Sequence, residues 1–127
     1  MRILVVSNLY PPHHQGGYEL RCAQVVDDLR RRGHTIHVVT SDYRITETGH
    51  DMLPREESIN GVPVSRFLRQ HRLDPTVSEG KLGLLDIVKR QRVDLIRFAE
   101  ILDQFKPDLV SWWNLEGVTK AMLTSFR

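Results

Sequence analysis

The first 41 residues carry a strand–helix–strand pattern, which limits the possible folds more than any other segment of the sequence. Residues 3–6 form an unbroken aliphatic run, which is typical of a central parallel strand buried on both faces. From Tyr18 to Leu29 the apolar residues recur at helical spacing, and Gly33 follows where a left-handed C-cap is expected. Residues 35–41 are the second strand. Such a βαβ unit is expected to have a right-handed crossover within a parallel sheet.

The rest of the chain continues to alternate strands and helices. A third strand is predicted in "INGVPVSRF", residues 59–67, with a hairpin-like start at the turn-forming Asn60-Gly61 pair. Residues 84–105 have helical periodicity, residues 109–113 form a fourth strand after Pro107, and residues 117–126 begin another helix. Residues 42–58 and 69–83 are expected to be loops.

Four strands interleaved with helices predict an α/β fold. We expect one domain over residues 1–127, built as a three-layer, Rossmann-like parallel sheet that is doubly wound, with strand order 3-2-1-4. Because complete domains of this type usually have about five to seven strands, the chain is expected to be the truncated front of one.

The composition indicates an ordinary globular protein and argues against several partners. The formal net charge is +2, from 18 Lys and Arg residues against 16 Asp and Glu residues. Because the two signs of charge are interspersed along the sequence, no nucleic-acid partner is predicted. Asp27 and Asp28 are expected to pair with nearby arginines. The single Cys22 excludes an intramolecular disulfide and a CxxC site. Since neither a signal peptide nor a membrane-spanning run is recognisable, we expect a cytoplasmic location. Separately, we expect neither a metal nor a cofactor.

The loop after the first strand is the first candidate site. In an open α/β sheet, ligands bind beyond the carboxyl ends of the strands, where the strand order reverses, and this loop begins there at Asn8. Gly16 and Gly17 would let a ligand approach the backbone, and the following helix N-terminus favours an anion. Equally, the glycines could only permit a turn. The adjacent His13 and His14 cannot form a helical metal pair, so a hydrogen bond to substrate is the better hypothesis.

The end of the fourth strand is the second candidate site. Trp112 and Trp113 precede Asn114 and Glu116, and this segment is expected to face the first loop across the crevice. One tryptophan should face the core and the other could line the cleft, where aromatic rings pack on sugars, although burial of both is an equal alternative. Glu116 could act as a general base only with a suitable partner.

The sequence resembles the N-terminus of the family 4 retaining glycosyltransferases. The residues that carry the resemblance are "MRILVVSN", "YPP", the Gly16-Gly17 pair, "RGH" and "HVVT" in the first 41 residues, and later "FKPDLVSWWNLEG". Residues 42–100 match only in layout. The family's frequent histidines in its fourth strand fall on Ser111 and Trp113 here, which puts a donor-sugar contact from the second histidine in question.

This resemblance implies a GT-B fold, with two Rossmann-like domains facing a cleft. The present chain would be the acceptor-side domain, and the C-terminal donor-binding domain would be the missing partner. Such enzymes transfer a hexose from a nucleotide sugar to a sugar, lipid or small-molecule acceptor with retention, usually without a metal. Gly16 and Gly17 would approach the donor phosphates. The fragment alone would be inactive, and the full-length protein could associate peripherally with a membrane.

Two other functions stay open. The chain could be a non-catalytic, Rossmann-like module that binds an anionic small molecule or a partner protein. An NAD(P)-dependent enzyme is the weakest candidate, because the sequence lacks GxGxxG and only Asp42 follows the second strand as an acidic residue.

Overall fold

The computed structural model describes residues 1–13, 15–43, 56–70 and 80–126. The elements in chain order are β1 (Arg2–Val6), α1 (Gly17–Arg31), β2 (Thr35–Ser41), β3 (Glu56–Ile59), β4 (Val62–Leu68), α2 (Leu84–Phe105), β5 (Leu109–Trp112) and a 3₁₀ helix (Lys120–Thr124). Among the described residues, no helix is both long and apolar enough to cross a bilayer.

The described strands form one mixed five-stranded sheet in the order β3-β4-β2-β1-β5. Strands β4, β2, β1 and β5 are parallel, whereas β3 pairs antiparallel with β4. This order differs from the predicted 3-2-1-4, because Glu56–Ile59 adds an edge strand where the sequence analysis placed the end of a polar loop. The α/β class and the Rossmann-like layout are confirmed.

The extra strand follows from the turn that precedes β4. Asn60 and Gly61 have φ angles of +52° and +79°, and Ile59 pairs with Val62 across them. Two consecutive positive φ values are the requirement of a tight hairpin turn, which directs the preceding residues back along β4. The predicted hairpin-like start is therefore confirmed. Most of the predicted loop, residues 44–55, lies outside the described residues.

The two faces of the sheet carry separate hydrophobic clusters. Ile3 and Val5 of β1 pack in one cluster with Cys22 and Val26 of α1. Leu4 belongs to the other, which contains Phe98 of α2. Full burial of such an aliphatic side chain contributes about 1.5–3 kcal/mol. The result is the predicted three-layer arrangement, with α1 and α2 on opposite faces.

Both ends of α1 have a local cause. The Glu19 carboxylate accepts a hydrogen bond from the Gly16 N–H (3.0 Å), which satisfies one of the free donors before the helix. At the other end Gly33 has φ +89°, as expected for the residue after a helix C-cap. The predicted pairing of Asp27 and Asp28 is confirmed, since they form ion pairs at 2.7–3.4 Å with the arginines of the last turn, Arg30, Arg31 and Arg32.

The end of the described chain differs from the prediction. The helix expected over residues 117–126 is only the short 3₁₀ helix Lys120–Thr124. The chain first turns at Gly117, whose φ of +79° is incompatible with an α-helix, and Thr119 then caps the 3₁₀ helix by accepting from the Ala121 N–H (3.4 Å). The fourth predicted strand is confirmed, although β5 ends at Trp112 rather than at residue 113.

Candidate functional site

A polar cleft lies where the carboxyl ends of β1, β4 and β5 meet. Its volume is about 230 Å³. Three candidate residues from the sequence analysis line this cleft, namely Asn8, Asn114 and Glu116. Four further residues complete the described lining: Leu9, Gln15, Glu19 and Gln70. The cleft therefore lies at the edge of the sheet where α/β proteins bind ligands.

Asn8 joins the loops after β1 and β5. Its backbone N–H donates to the Asn114 carbonyl (2.7 Å), and its side-chain Nδ2 donates to the Glu116 carbonyl (3.1 Å). The Asn8 Oδ1 accepts from the Leu9 N–H (2.9 Å). With 5% of its surface exposed, Asn8 holds the two loops together as well as lining the cleft between them.

Gln70 lines another side of the cleft, and this role was not predicted from the sequence. Its Nε2 donates to the same Glu116 carbonyl (2.9 Å), so the loop after β4 is joined to the loop after β5. A Cβ at Gly117 would overlap the Gln70 carboxamide, and Gly117 also has a positive φ of +79°. Gly117 is therefore required for both its conformation and its lack of a side chain. A glycine soon after a buried strand was the only sequence signal for this contact.

The space beside Gly16 and Gly17 is open. Among the described residues, a Cβ at Gly17 would have no heavy atom within 4 Å, and one at Gly16 would meet only Glu19 Oε2, at 3.7 Å. Gly16 has φ −150°, an extended conformation that any residue can adopt. Neither steric crowding nor a left-handed backbone thus requires glycine at these two positions.

Glu19 reaches back from α1 into the cleft. Only 6% of its surface is exposed, and its carboxylate bonds the Gly16 N–H. Its role was not predicted from the sequence, because a glutamate in a first helical turn is common. Together with Glu116, it gives the described lining two carboxylates and no lysine or arginine.

Of the candidate histidines and tryptophans, those that the structure describes do not line the cleft. His13 is half-buried and its N–H bonds the Tyr10 carbonyl (3.2 Å), while His14 lies outside the described residues. Trp112 packs against Phe98 on the α2 face, with 5.8 Å between ring centroids. Trp113 packs edge-on against Tyr18 on the α1 face, at 5.4 Å. Neither His13 nor Trp113 is among the residues that line the cleft.

The nearby cysteine is a packing residue. Burial, and secondarily the charge of Glu19, raises the pKa of the Cys22 thiol to about 12. The thiol therefore stays protonated at neutral pH and is a poor nucleophile. In the part of the chain that is described, no group of three or more His, Cys, Asp or Glu side chains is arranged to hold a metal ion.

The chain is 35% identical over 97 residues to a protein of Methanocaldococcus jannaschii named as an uncharacterized glycosyltransferase. The match covers 70% of this chain and 23% of that protein, so the chain spans about a quarter of the length of the relative it matches. No family model and no solved structure matches the chain. The chain is thus a distant, partial homologue of a protein named as a glycosyltransferase.

Proposed function

We propose that the chain is the N-terminal, acceptor-side domain of a retaining glycosyltransferase of family 4, with a GT-B fold. The reaction would transfer a hexose from a nucleotide sugar to a sugar, lipid or small-molecule acceptor in the cytoplasm. The observation that carries the proposal is the polar cleft at the carboxyl ends of β1 and β5, in a chain related to a named glycosyltransferase.

The cleft lining suits a neutral ligand with many hydroxyl groups. Amides from Gln15, Gln70 and Asn114 can both donate and accept hydrogen bonds, and the carboxylates of Glu19 and Glu116 accept from hydroxyls. A diphosphate would meet two carboxylates in the described lining and no compensating cation. These properties support acceptor binding by this domain.

The donor would therefore reach the cleft from another domain. Gly16 and Gly17 leave space beside α1 through which donor phosphates could approach the backbone. Transfer must stabilise a charged diphosphate leaving group, and loss of one preorganised electrostatic partner typically costs about 10²–10³ in rate. A C-terminal donor-binding domain would supply those partners, with no metal and no cofactor besides the nucleotide-sugar substrate.

We also propose that the full-length protein associates peripherally with a membrane. Helix α2 exposes large apolar side chains: 75% of Leu85, 51% of Val88 and 53% of Ile96 are accessible. Lys89 and Arg92 are exposed on the same helix and form no ion pair with any described residue. Exposed apolar and basic side chains on one helix favour an anionic membrane surface.

The test of transferase function uses the full-length protein and a Gly16→Val variant. Thermal shift against UDP-, GDP- and ADP-sugars identifies the donor, and a transfer assay then gives kcat and KM. We expect Gly16→Val to lower kcat/KM by at least about tenfold, because the added side chain would occupy the space assigned to the donor phosphates. The folding stability should change little, since Glu19 is the one described residue beyond the chain neighbours within 4 Å of the new Cβ.

Gly83→Val is the matched control. Gly83 is the N-cap residue of α2, and within the part of the chain that the structure describes a Cβ there would meet only Asp86 Oδ2, at 3.9 Å. Normal kinetics in Gly16→Val would show that the loop containing Gly16 and Gly17 is only a turn. Tight binding of a nucleotide without any sugar transfer would instead favour the non-catalytic binding module.

A further inference from the structure

A buried arginine connects the hairpin formed by β3 and β4 at the sheet edge to the loop after β1. Arg66 of β4 is 1% exposed, and its Nε forms an ion pair with Glu57 of β3. Its Nη1 donates to the Tyr10 carbonyl (3.2 Å) and its Nη2 donates to the Pro11 carbonyl (2.7 Å). One guanidinium therefore joins the β3–β4 hairpin to a loop that lies 55 and 56 positions earlier in the sequence.

The loop needs donors of this kind because it contains two prolines. Pro11 and Pro12 have no backbone N–H, so the loop can offer few donors to its own carbonyls. The Leu9 carbonyl accepts from Ser7 Oγ (2.9 Å), and the Tyr10 carbonyl accepts from the His13 N–H (3.2 Å) as well as from Arg66. Without Arg66, the carbonyls of Tyr10 and Pro11 would lose strong, charge-assisted hydrogen bonds.

The position of this loop shapes the cleft. Leu9 lies at its start and Gln15 lies just after it, and both residues line the cleft. Glu57 makes the arrangement feasible, because an unpaired guanidinium is very unfavourable in a protein interior. The additional strand β3 therefore carries the counter-ion of the residue that holds the loop.

We propose that Arg66 is a positioning residue, which together with Glu57 fixes the loop of residues 9–13 and thereby the wall of the cleft formed by Leu9 and Gln15. Arg66 acts through backbone carbonyls and does not line the cleft itself. Its effect on catalysis rests on the proposed transferase function, whereas its effect on the loop does not.

The first test is Arg66→Lys in the full-length protein. Lysine retains the charge beside Glu57 but lacks the planar fork that reaches two carbonyls at once. We expect amide hydrogen exchange in residues 8–17 to become about tenfold faster, with exchange in β1 and β2 unchanged. In the transfer assay, KM for the acceptor should rise about tenfold while kcat changes less, because a displaced wall weakens binding first.

Arg69→Lys is the control for the first test. Arg69 lies three residues further on, forms an ion pair with Asp42 (2.9 Å), and has a side chain 45% exposed. It should leave both exchange in the loop and KM unchanged. A folded Arg66→Lys protein with unaltered loop exchange would overturn the proposal, and this readout remains decisive even if the wild type transfers no sugar.

A double variant, Arg66→Met with Glu57→Met, decides the matter if Arg66→Lys does not fold. Replacing a buried ion pair with apolar side chains of similar size is often tolerated. Faster loop exchange in a folded double variant would support the proposal, and wild-type protection would overturn it. Unfolding of the double variant would also count against it, because Arg66 would then be a requirement of the sheet rather than of the loop.

Discussion

At the scale of single residues, the interior charges are the least expected feature. Arg66 and Asp94 each have 1% of their surface exposed, and Asp94 accepts a hydrogen bond from the Arg69 N–H (2.9 Å) at the end of β4. The pKa of Asp94 is raised to about 6, mainly by burial and to a smaller extent by Asp42, whereas the Arg69 N–H and the charges of Arg69 and Arg97 oppose the rise. Asp94 is therefore a titratable group within the fold.

Replacing Asp94 with asparagine should make the protein more stable at alkaline pH. Because the folded-state pKa of about 6 lies above the ordinary 3.8, the protonated side chain stabilises the fold at low pH, and this contribution is lost as pH rises through 6. The carboxamide oxygen of the new side chain can still accept from the Arg69 N–H. We expect Asp94→Asn to increase the free energy of unfolding by up to about 3 kcal/mol at pH 8.

The measurement is urea unfolding at pH 8 and pH 5. The advantage of Asp94→Asn should be about 1.4 kcal/mol smaller at pH 5, where wild-type Asp94 is mostly protonated in the folded state. Asp103→Asn, an exposed position on the same helix, is the control. A stability difference between Asp94→Asn and wild type that does not depend on pH would contradict this assignment.

At the scale of elements, periodicity predicted which segments form helices and strands, but it did not predict every pairing between them. The helical pattern of residues 84–105 is confirmed as α2, yet its first half carries apolar residues on its exposed side as well as its buried side. The Asn60-Gly61 turn was recognised, but the polar strand β3 that it directs onto β4 was not, because "EESI" lacks a strand-like apolar pattern.

Leu85→Glu should weaken binding of the full-length protein to anionic vesicles. The change removes an apolar side chain that is 75% exposed and adds a repulsive charge, without disturbing the core. We expect at least about a tenfold loss of affinity in co-sedimentation with phosphatidylcholine vesicles that contain an anionic lipid. Leu123→Glu, at another exposed leucine (46%), should bind like the wild type. Equal binding of both variants, or no binding of the wild type, would refute membrane association through α2.

At the scale of the whole molecule, the chain corresponds to only part of its relative. It spans 23% of the M. jannaschii protein. In addition, none of the described residues that line its cleft is a lysine or an arginine. A two-domain enzyme would explain both observations, because the donor and its electrostatic partners would belong mainly to the other domain.

Residues 1–127 expressed alone should transfer no sugar, whereas the full-length protein should be active. The loss of several donor-side electrostatic partners, each worth about 10²–10³ in rate, would reduce turnover below detection. Circular dichroism would verify that the shorter protein is folded, and the same transfer assay would be applied to both. Sugar transfer by residues 1–127 alone would rule out the assignment of the donor site to a second domain.

The βαβ unit and the α/β class could be predicted from the sequence alone, and so could three residues of the cleft, Asn8, Asn114 and Glu116. These features can be predicted from local patterns, since burial periodicity, turn residues and strand ends all depend on residues that are close together in the sequence. The position of β3 at the sheet edge and the presence of Gln70 and Glu19 in the cleft could not be predicted and are seen in the three-dimensional arrangement. Arg66 likewise acquires its role from contacts with residues 55 and 56 positions away. Such long-range pairings depend on how the strands are placed side by side, which no local pattern specifies.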